Sequence, residues 1–139
     1  MDRRFEVTDH TADIGIIAHG QDLAELMANV ACGMLSLIVD PLTVKSTLTV
    51  KIELEEQDSV TLLVVWLNTL LYELDVNHLL CCEFDIVVSG QTKLSAVCRG
   101  EKLDTAKHRL KREVKAATYH NLSISEENGI YSASIIFDI

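Results

Sequence analysis

The chain has 139 residues, 48% of them apolar, a single proline and a formal net charge of −9 at pH 7. That length fits one domain over 1–139 with room for a real core, and the apolar share excludes a disordered chain. The negative charge opposes direct, sequence-specific nucleic-acid binding, and few aromatics are present to stack on bases; an acidic surface suits a cation or a basic protein partner better.

In chain order, "FEVTDH" and "GIIAHG" read as two short strands separated by "TADI". Asp22 followed by Glu25 resembles a capping box that opens a helix near Leu23. Its apolar positions Leu23, Met27, Val30, Met34 and Ile38 recur at helical spacing, and Pro41 lies just past the end. "TLTVKIELE" alternates as a half-buried strand does. Asp58 can cap a second helix, "SVTLLVVWLNTLLYELDVNHLL", whose apolar residues surround nearly the whole circumference and predict a central core helix. "FDIVVSG" and "KLSAVCRG" are strands either side of "QT", with Gly90 as the turn residue. The basic run "KHRLKREVK" (Lys107 to Lys115) reads as a loop with a short helical turn, and such a run is ordinarily a solvated face. "KAATYHNLSIS" and "GIYSASIIFDI" flank "EENG", whose Asn-Gly is a strong hairpin signal.

These elements give an α+β class: two helices on one face of a mixed, mostly antiparallel sheet, in the order β-β-α-β-α-β-β-β-β. In the last strand Tyr131, Ala133, Ile135, Phe137 and Ile139 make the better core face. Asp138 therefore points to the less apolar side, as an acid at a sheet edge.

The longest uncharged stretch, Ser59 to Tyr72, is too short to span a bilayer, so no membrane partner is expected. "MDRRFEV" has no apolar signal region, which predicts a cytoplasmic chain. Cys32, Cys81, Cys82 and Cys98 include no C-x-x-C and no His at zinc spacing, so they read as reduced small hydrophobes. No Gly-rich phosphate cradle and no nucleophile elbow occurs. His10, His19, His78, His108 and His120 show no ligand spacing and read as structural, with His10 the one placed to orient a neighbouring aspartate.

The remaining acid-rich stretch, "TDHTADIG", reads as a loop. Asp9, Asp13, Asp138 and the Ile139 carboxylate could together line an oxygen-rich site suited to a hard cation. The bland alternative is that these acids form turns and caps. Packing them together without a cation would be costly through mutual repulsion.

"FEVTDHTADIG", "WLNTLLYEL", "GEKLDTAKH", "VKAATYHNL" and the closing "IIFDI" resemble the archease family, in order, from Phe5 to Ile139. The resemblance implies a non-catalytic activator of the RtcB-type RNA ligase of tRNA splicing and RNA repair. It implies faster GTP-dependent guanylylation of the ligase and its repeated turnover. It also implies a divalent metal, Ca²⁺ or Mg²⁺ with Mn²⁺ also compatible, held by Asp13, Asp138 and Ile139. Lys115 would act toward the partner, while Asp9 and His10 would be structural or support the ligands. The rival expectation is a chaperone or modulator of nucleic-acid-modifying enzymes such as RNA methyltransferases. Self-association is left open by the sequence.

Overall fold

The computed structural model describes residues 4–9 and 13–139. The elements are β1 (Phe5–Asp9), β2 (Asp13–Gly20), α1 (Leu23–Ile38), a 3-10 turn (Pro41–Thr43), β3 (Leu48–Glu55), α2 (Ser59–Asn77), β4 (Leu79–Ser89), β5 (Lys93–Lys102), β6 (Ala116–Glu127) and β7 (Ile130–Asp138). The expected α+β class and element order hold. Every strand pairing is antiparallel, and the strands are shared between two sheets, β1-β2-β7-β6 and β3-β5-β4. Each helix touches strands of both sheets, so the helices form the common core on which both sheets bury a face.

Both helices start where their caps dictate. Asp22 accepts the Glu25 N–H at 2.7 Å, and the Glu25 carboxylate accepts the Gln21 N–H at 3.1 Å. Asp58 accepts the Thr61 N–H at 2.8 Å. Each cap satisfies donors that the first helical turn would otherwise leave bare.

The centre of the core departs from expectation. α1 buries eleven of its residues, while α2 buries only Leu62, Leu63, Val64, Trp66, Leu67, Leu70 and Leu71. The last turns of α2 are open, with Tyr72 58% and Val76 50% exposed. The helix also stops at His78, whose left-handed φ of 56° ends it three residues before the sequence pattern does. Leu79 and Leu80 then enter β4, because their side chains fill the core between α1 and the three-stranded sheet. α2 is long and apolar enough by composition to cross a membrane, but its buried face packs on strands of both sheets and on α1, where its Trp66 Nε1–H donates to the Met27 carbonyl at 3.0 Å.

The basic run is exposed, as expected, but several of its cations also have partners. α1 has no basic residue in its last turn. Segment 103–115 supplies the missing cations: Lys111 Nζ donates to the Ser36 carbonyl (2.9 Å) and Arg112 Nη1 to the Leu37 carbonyl (2.9 Å). The Lys111 backbone N–H adds a bond to the Ile38 carbonyl at 2.7 Å. Positive charge at a helix C-terminus is favourable, and here it also fixes a long loop.

The Asn128–Gly129 hairpin forms as expected, with φ of 54° and 79°, the pair of positive values a two-residue turn of this twist requires. Gly100, in the central strand of the three-stranded sheet, lies where an added Cβ would run into the Leu80 carbonyl of β4. Gly100→Ala is expected to lower the urea unfolding midpoint, by about 3 kcal/mol of stability; a wild-type midpoint would show that the strands can separate freely there.

Candidate functional site

In the four-stranded sheet, β2 pairs with β7 so that Ile14, Ile16 and Ala18 face Phe137, Ile135 and Ala133. All six are essentially buried. Alternation then sends the neighbours of each to the opposite face. Asp13 and Asp138 are partners in this register, two carboxylates side by side at the end of the sheet. β6 extends the row, since Ala116 is the partner of Asp138 on its other side, and the Lys115 N–H donates to the Asp138 carbonyl at 2.8 Å. Asp13, Asp138 and Lys115 are thus brought together by backbone register, with Ile139 immediately after.

Two expectations about these acids are corrected. "TDHTADIG" is not one loop: Asp9 ends β1 and Asp13 opens β2, because Ile14 must reach Phe137 in the core. Nor does Asp138 lie at a sheet edge, since β7 sits between β2 and β6 and both of its sides are paired. Asp9 is the register partner of Ile14, one place along from Asp13. His10 falls outside the described residues.

Like charges directly opposed on neighbouring strands repel, and nothing in the core demands acids here. Oδ1 of Asp13 is buried, without a hydrogen-bond partner among the described residues. A carboxylate oxygen in that state is normally expensive. A hard cation is the kind of partner that removes both penalties at once. Among the described residues no group of three or more His, Cys, Asp or Glu side chains converges as a metal cluster. The pair therefore supplies two carboxylates, and backbone oxygens of Ile139 and water are what would complete a hard-cation shell.

Sequence reasoning missed what holds this end of the sheet in place. Asn68, the lone amide in the apolar run "WLNTLL", faces the free edge of β6. Its Nδ2 donates to the Ala117 carbonyl at 3.2 Å, and its Oδ1 accepts the Ala117 N–H at 2.8 Å. The side-chain amide thereby acts as one residue of a further strand. A polar residue inside an otherwise apolar helical stripe was the available signal.

A second anchor lies at the start of the loop leading to Lys115. Glu101 accepts from Lys107 Nζ (2.7 Å to Oε2) and from the Lys45 backbone N–H (2.7 Å). His108, only 1% exposed, accepts the Asp104 N–H on Nδ1 at 2.9 Å, which leaves its Nε2–H to meet Glu101 at 3.0 Å. The Lys107 bond, then the Lys45 amide, hold the Glu101 carboxyl down at about 2, against an ordinary 4.5. The folded value is depressed, so the cluster's contribution is complete above about 4.5 and is lost as pH falls toward about 2.

His19 and His78, like His108, have structural places: His19 Nδ1 meets Ser132 Oγ at 2.8 Å, and His78 ends α2, whereas His120 is exposed on β6. Contact with Cys98 and burial push the Cys81 thiol up, and burial raises Cys32, so neither is a ready nucleophile.

The comparisons agree on one kinship. The model of the Archease protein family (MTH1598/TM1083) matches residues 5–139. The chain is 37% identical over 139 residues to a protein archease of Sulfolobus acidocaldarius, covering 98% of this chain and 99% of that one. It is 36% identical over 141 residues to a protein archease of Pyrococcus furiosus, with 99% of each covered. Among solved structures, protein 1598 of Methanobacterium thermoautotrophicum matches with a TM-score of 0.81 at 31% identity, covering 98% of this chain and 99% of that one. A Thermotoga maritima protein described as "an archease, possible chaperone" matches the fold with a TM-score of 0.68 at 17% identity, covering all of both chains.

Two outcomes are expected from this geometry. In chelator, Asp138→Asn and Asp13→Asn melt at or above the wild-type temperature because a repulsion is gone; with Ca²⁺ or Mn²⁺ added, the wild type gains several degrees and the variants gain nothing. Variants that melt lower in chelator, beside a wild type indifferent to cations, would contradict it. For the loop, exchange of the Lys45 amide should accelerate between pH 4 and pH 2 in the wild type, whereas Glu101→Gln exchanges fast throughout, at a pH-independent level after correction for intrinsic rates; an acid transition that survives in Glu101→Gln would assign it to another group.

Proposed function

The chain belongs to the archease family, and from that premise we propose that it activates an RtcB-type RNA ligase, speeding its GTP-dependent guanylylation and allowing repeated turnover. The observation that carries the reading is the pairing of Asp13 with Asp138 on one face of the sheet, next to Lys115. In this reading Asp13, Asp138 and backbone oxygens of Ile139 hold a divalent cation, Ca²⁺, Mg²⁺ or Mn²⁺. Bound there, such an ion offers a hard Lewis-acidic centre with water in its open positions.

The protein's own residues have separable tasks. Asp13 and Asp138 supply the charge and set the spacing, because their Cα positions are fixed by the buried pairs behind them. Lys115 is exposed, and among the described residues its ammonium lies within salt-bridge range of no carboxylate. Its backbone is tied to Asp138, which anchors the residue next to the pair, while its ammonium tip is free to meet a phosphate or carboxylate on the ligase. The chain contributes position and charge, and the bond-making groups belong to the ligase.

The rival reading, a chaperone-like modulator acting through apolar surface, draws on the exposed Tyr72, Val76 and Leu110 and makes no use of the acids. One assay separates the two: purified ligase, GTP and divalent metal, with guanylylated ligase scored against time. The wild-type chain should accelerate the step. Asp13→Ala and Asp138→Ala should each lose about tenfold or more of that acceleration, and Lys115→Ala a comparable share, with circular dichroism unchanged. Full acceleration by both aspartate variants would transfer the activity to the apolar surface; no acceleration by the wild type would end the activator reading.

A further inference from the structure

A groove of about 840 Å³ runs between the open end of α2 and segment 103–115. Its floor and walls include Leu71, Leu74, Leu103 and Val114, and Tyr72 and Leu110 stand on opposite sides. Tyr72 is 58% and Leu110 48% exposed, so two large apolar side chains flank an open trough. At one end the groove reaches Lys115 and Ala116, the residues that adjoin Asp138.

The charge around it is unlike that of the rest of the molecule. Residues 107–115 hold five of the twelve basic residues, Lys107, Arg109, Lys111, Arg112 and Lys115, against one acid, Glu113. The remainder of the chain has seven basic residues against twenty acidic ones. Asp75 and Glu113 are the acids that line the groove itself. The lip is also held: Lys111 and Arg112 donate to carbonyls of α1, and Lys107 to Glu101. Hydrogen bonds to neutral carbonyls hold the side chains of Lys111 and Arg112 without cancelling their charge, so the cationic lip is preorganised.

We propose that this groove is the docking site for a segment of the partner protein that carries apolar anchors with flanking carboxylates. The inference rests on the activator reading and adds where the ligase is gripped: beside the carboxylate pair, and apart from it. Apolar anchors fit the leucine floor, and acids on the partner complement the one basic strip of an otherwise acidic body. Single-stranded RNA fits less well, because Tyr72 and the His78 imidazole are the two rings among the groove's lining residues, and the overall field repels phosphate. A second copy of this acidic chain would bring its own net charge of −9 against the same field.

The test measures the Kd between the full-length chain and the purified ligase, alongside metal titration of the chain alone. Leu110→Asp and Tyr72→Asp should each weaken ligase binding by about tenfold or more while leaving the cation-dependent melting shift intact. Arg109→Glu, which touches neither the α1 caps nor the groove floor, should weaken it as well and flatten its salt dependence. Val87→Asp, 64% exposed on β4 of the other sheet, should bind as the wild type does. Asp13→Asn should keep ligase binding and lose activation. Wild-type affinity in both Leu110→Asp and Tyr72→Asp would overturn the groove and leave the activator reading standing. No association of the wild type with the ligase would overturn both. A loss confined to binding of a labelled single-stranded RNA, or to self-association in sedimentation, would assign the groove to those occupants and overturn the proposal.

Discussion

The register between β2 and β7 is the constraint on which everything else at the site depends. Ile14 on Phe137, Ile16 on Ile135 and Ala18 on Ala133 are core contacts, and a slip of one residue would turn the whole apolar set of the slipping strand out of the core. The same alternation that buries these six residues places Asp13 and Asp138 together on the reverse face. The two acids need no contact of their own to be neighbours; the hydrophobic effect acting on adjacent residues holds them there, against their repulsion. A stable core thus maintains an arrangement that is locally unfavourable. That is the usual condition of a preorganised binding site.

Holding three strand ends in one row takes more than the ladder, because strand ends fray. β6 is the exposed member, an edge strand that begins at the site. Asn68 covers its edge at Ala117, one residue from Ala116 and two from Lys115. On the other side Lys115 is bonded to Asp138. Upstream, the loop is fastened to α1 by Lys111 and Arg112 and to Glu101 by Lys107 and His108. The approach to Lys115 is therefore fixed at several points along a segment with no helix or strand in it.

Much of this was legible in the sequence, where local signals are strong. Asp22 and Asp58 announced the helix starts, Asn128–Gly129 the last hairpin, and the parity of β7 put Asp138 opposite its core face. What was not legible depended on distant partners. Asp13 looked like a loop residue because its strand assignment comes from Phe137 and Asp138, far along the chain. "NHLL" looked like the end of α2 because an apolar Leu pair has the same appearance in a helix as in a buried strand. That the exposed basic run also caps a helix was not legible, because the carbonyls it meets belong to α1, some seventy residues earlier. β7 looked like an edge because sheet order is not written in any local pattern.

The basic segment also bears on why the acids at the sheet end have no cationic partner among the described residues. A chain with five positive charges within nine residues of each other had the means to neutralise Asp13 and Asp138. Instead Lys107 is committed to Glu101, and Lys111 and Arg112 to α1. Arg109 and Lys115 make no ion pair among the described residues. Had a lysine closed over the two carboxylates, the repulsion would be relieved within the fold and a cation would gain little by entering. With the lysine side chain kept outside and only its backbone bonded to Asp138, the pair retains its charge and Oδ1 of Asp13 retains its open valence. The fold thus commits most of this positive charge to rigidity, and the negative charge at the sheet end stays uncompensated among the described residues, as the proposed cation site requires.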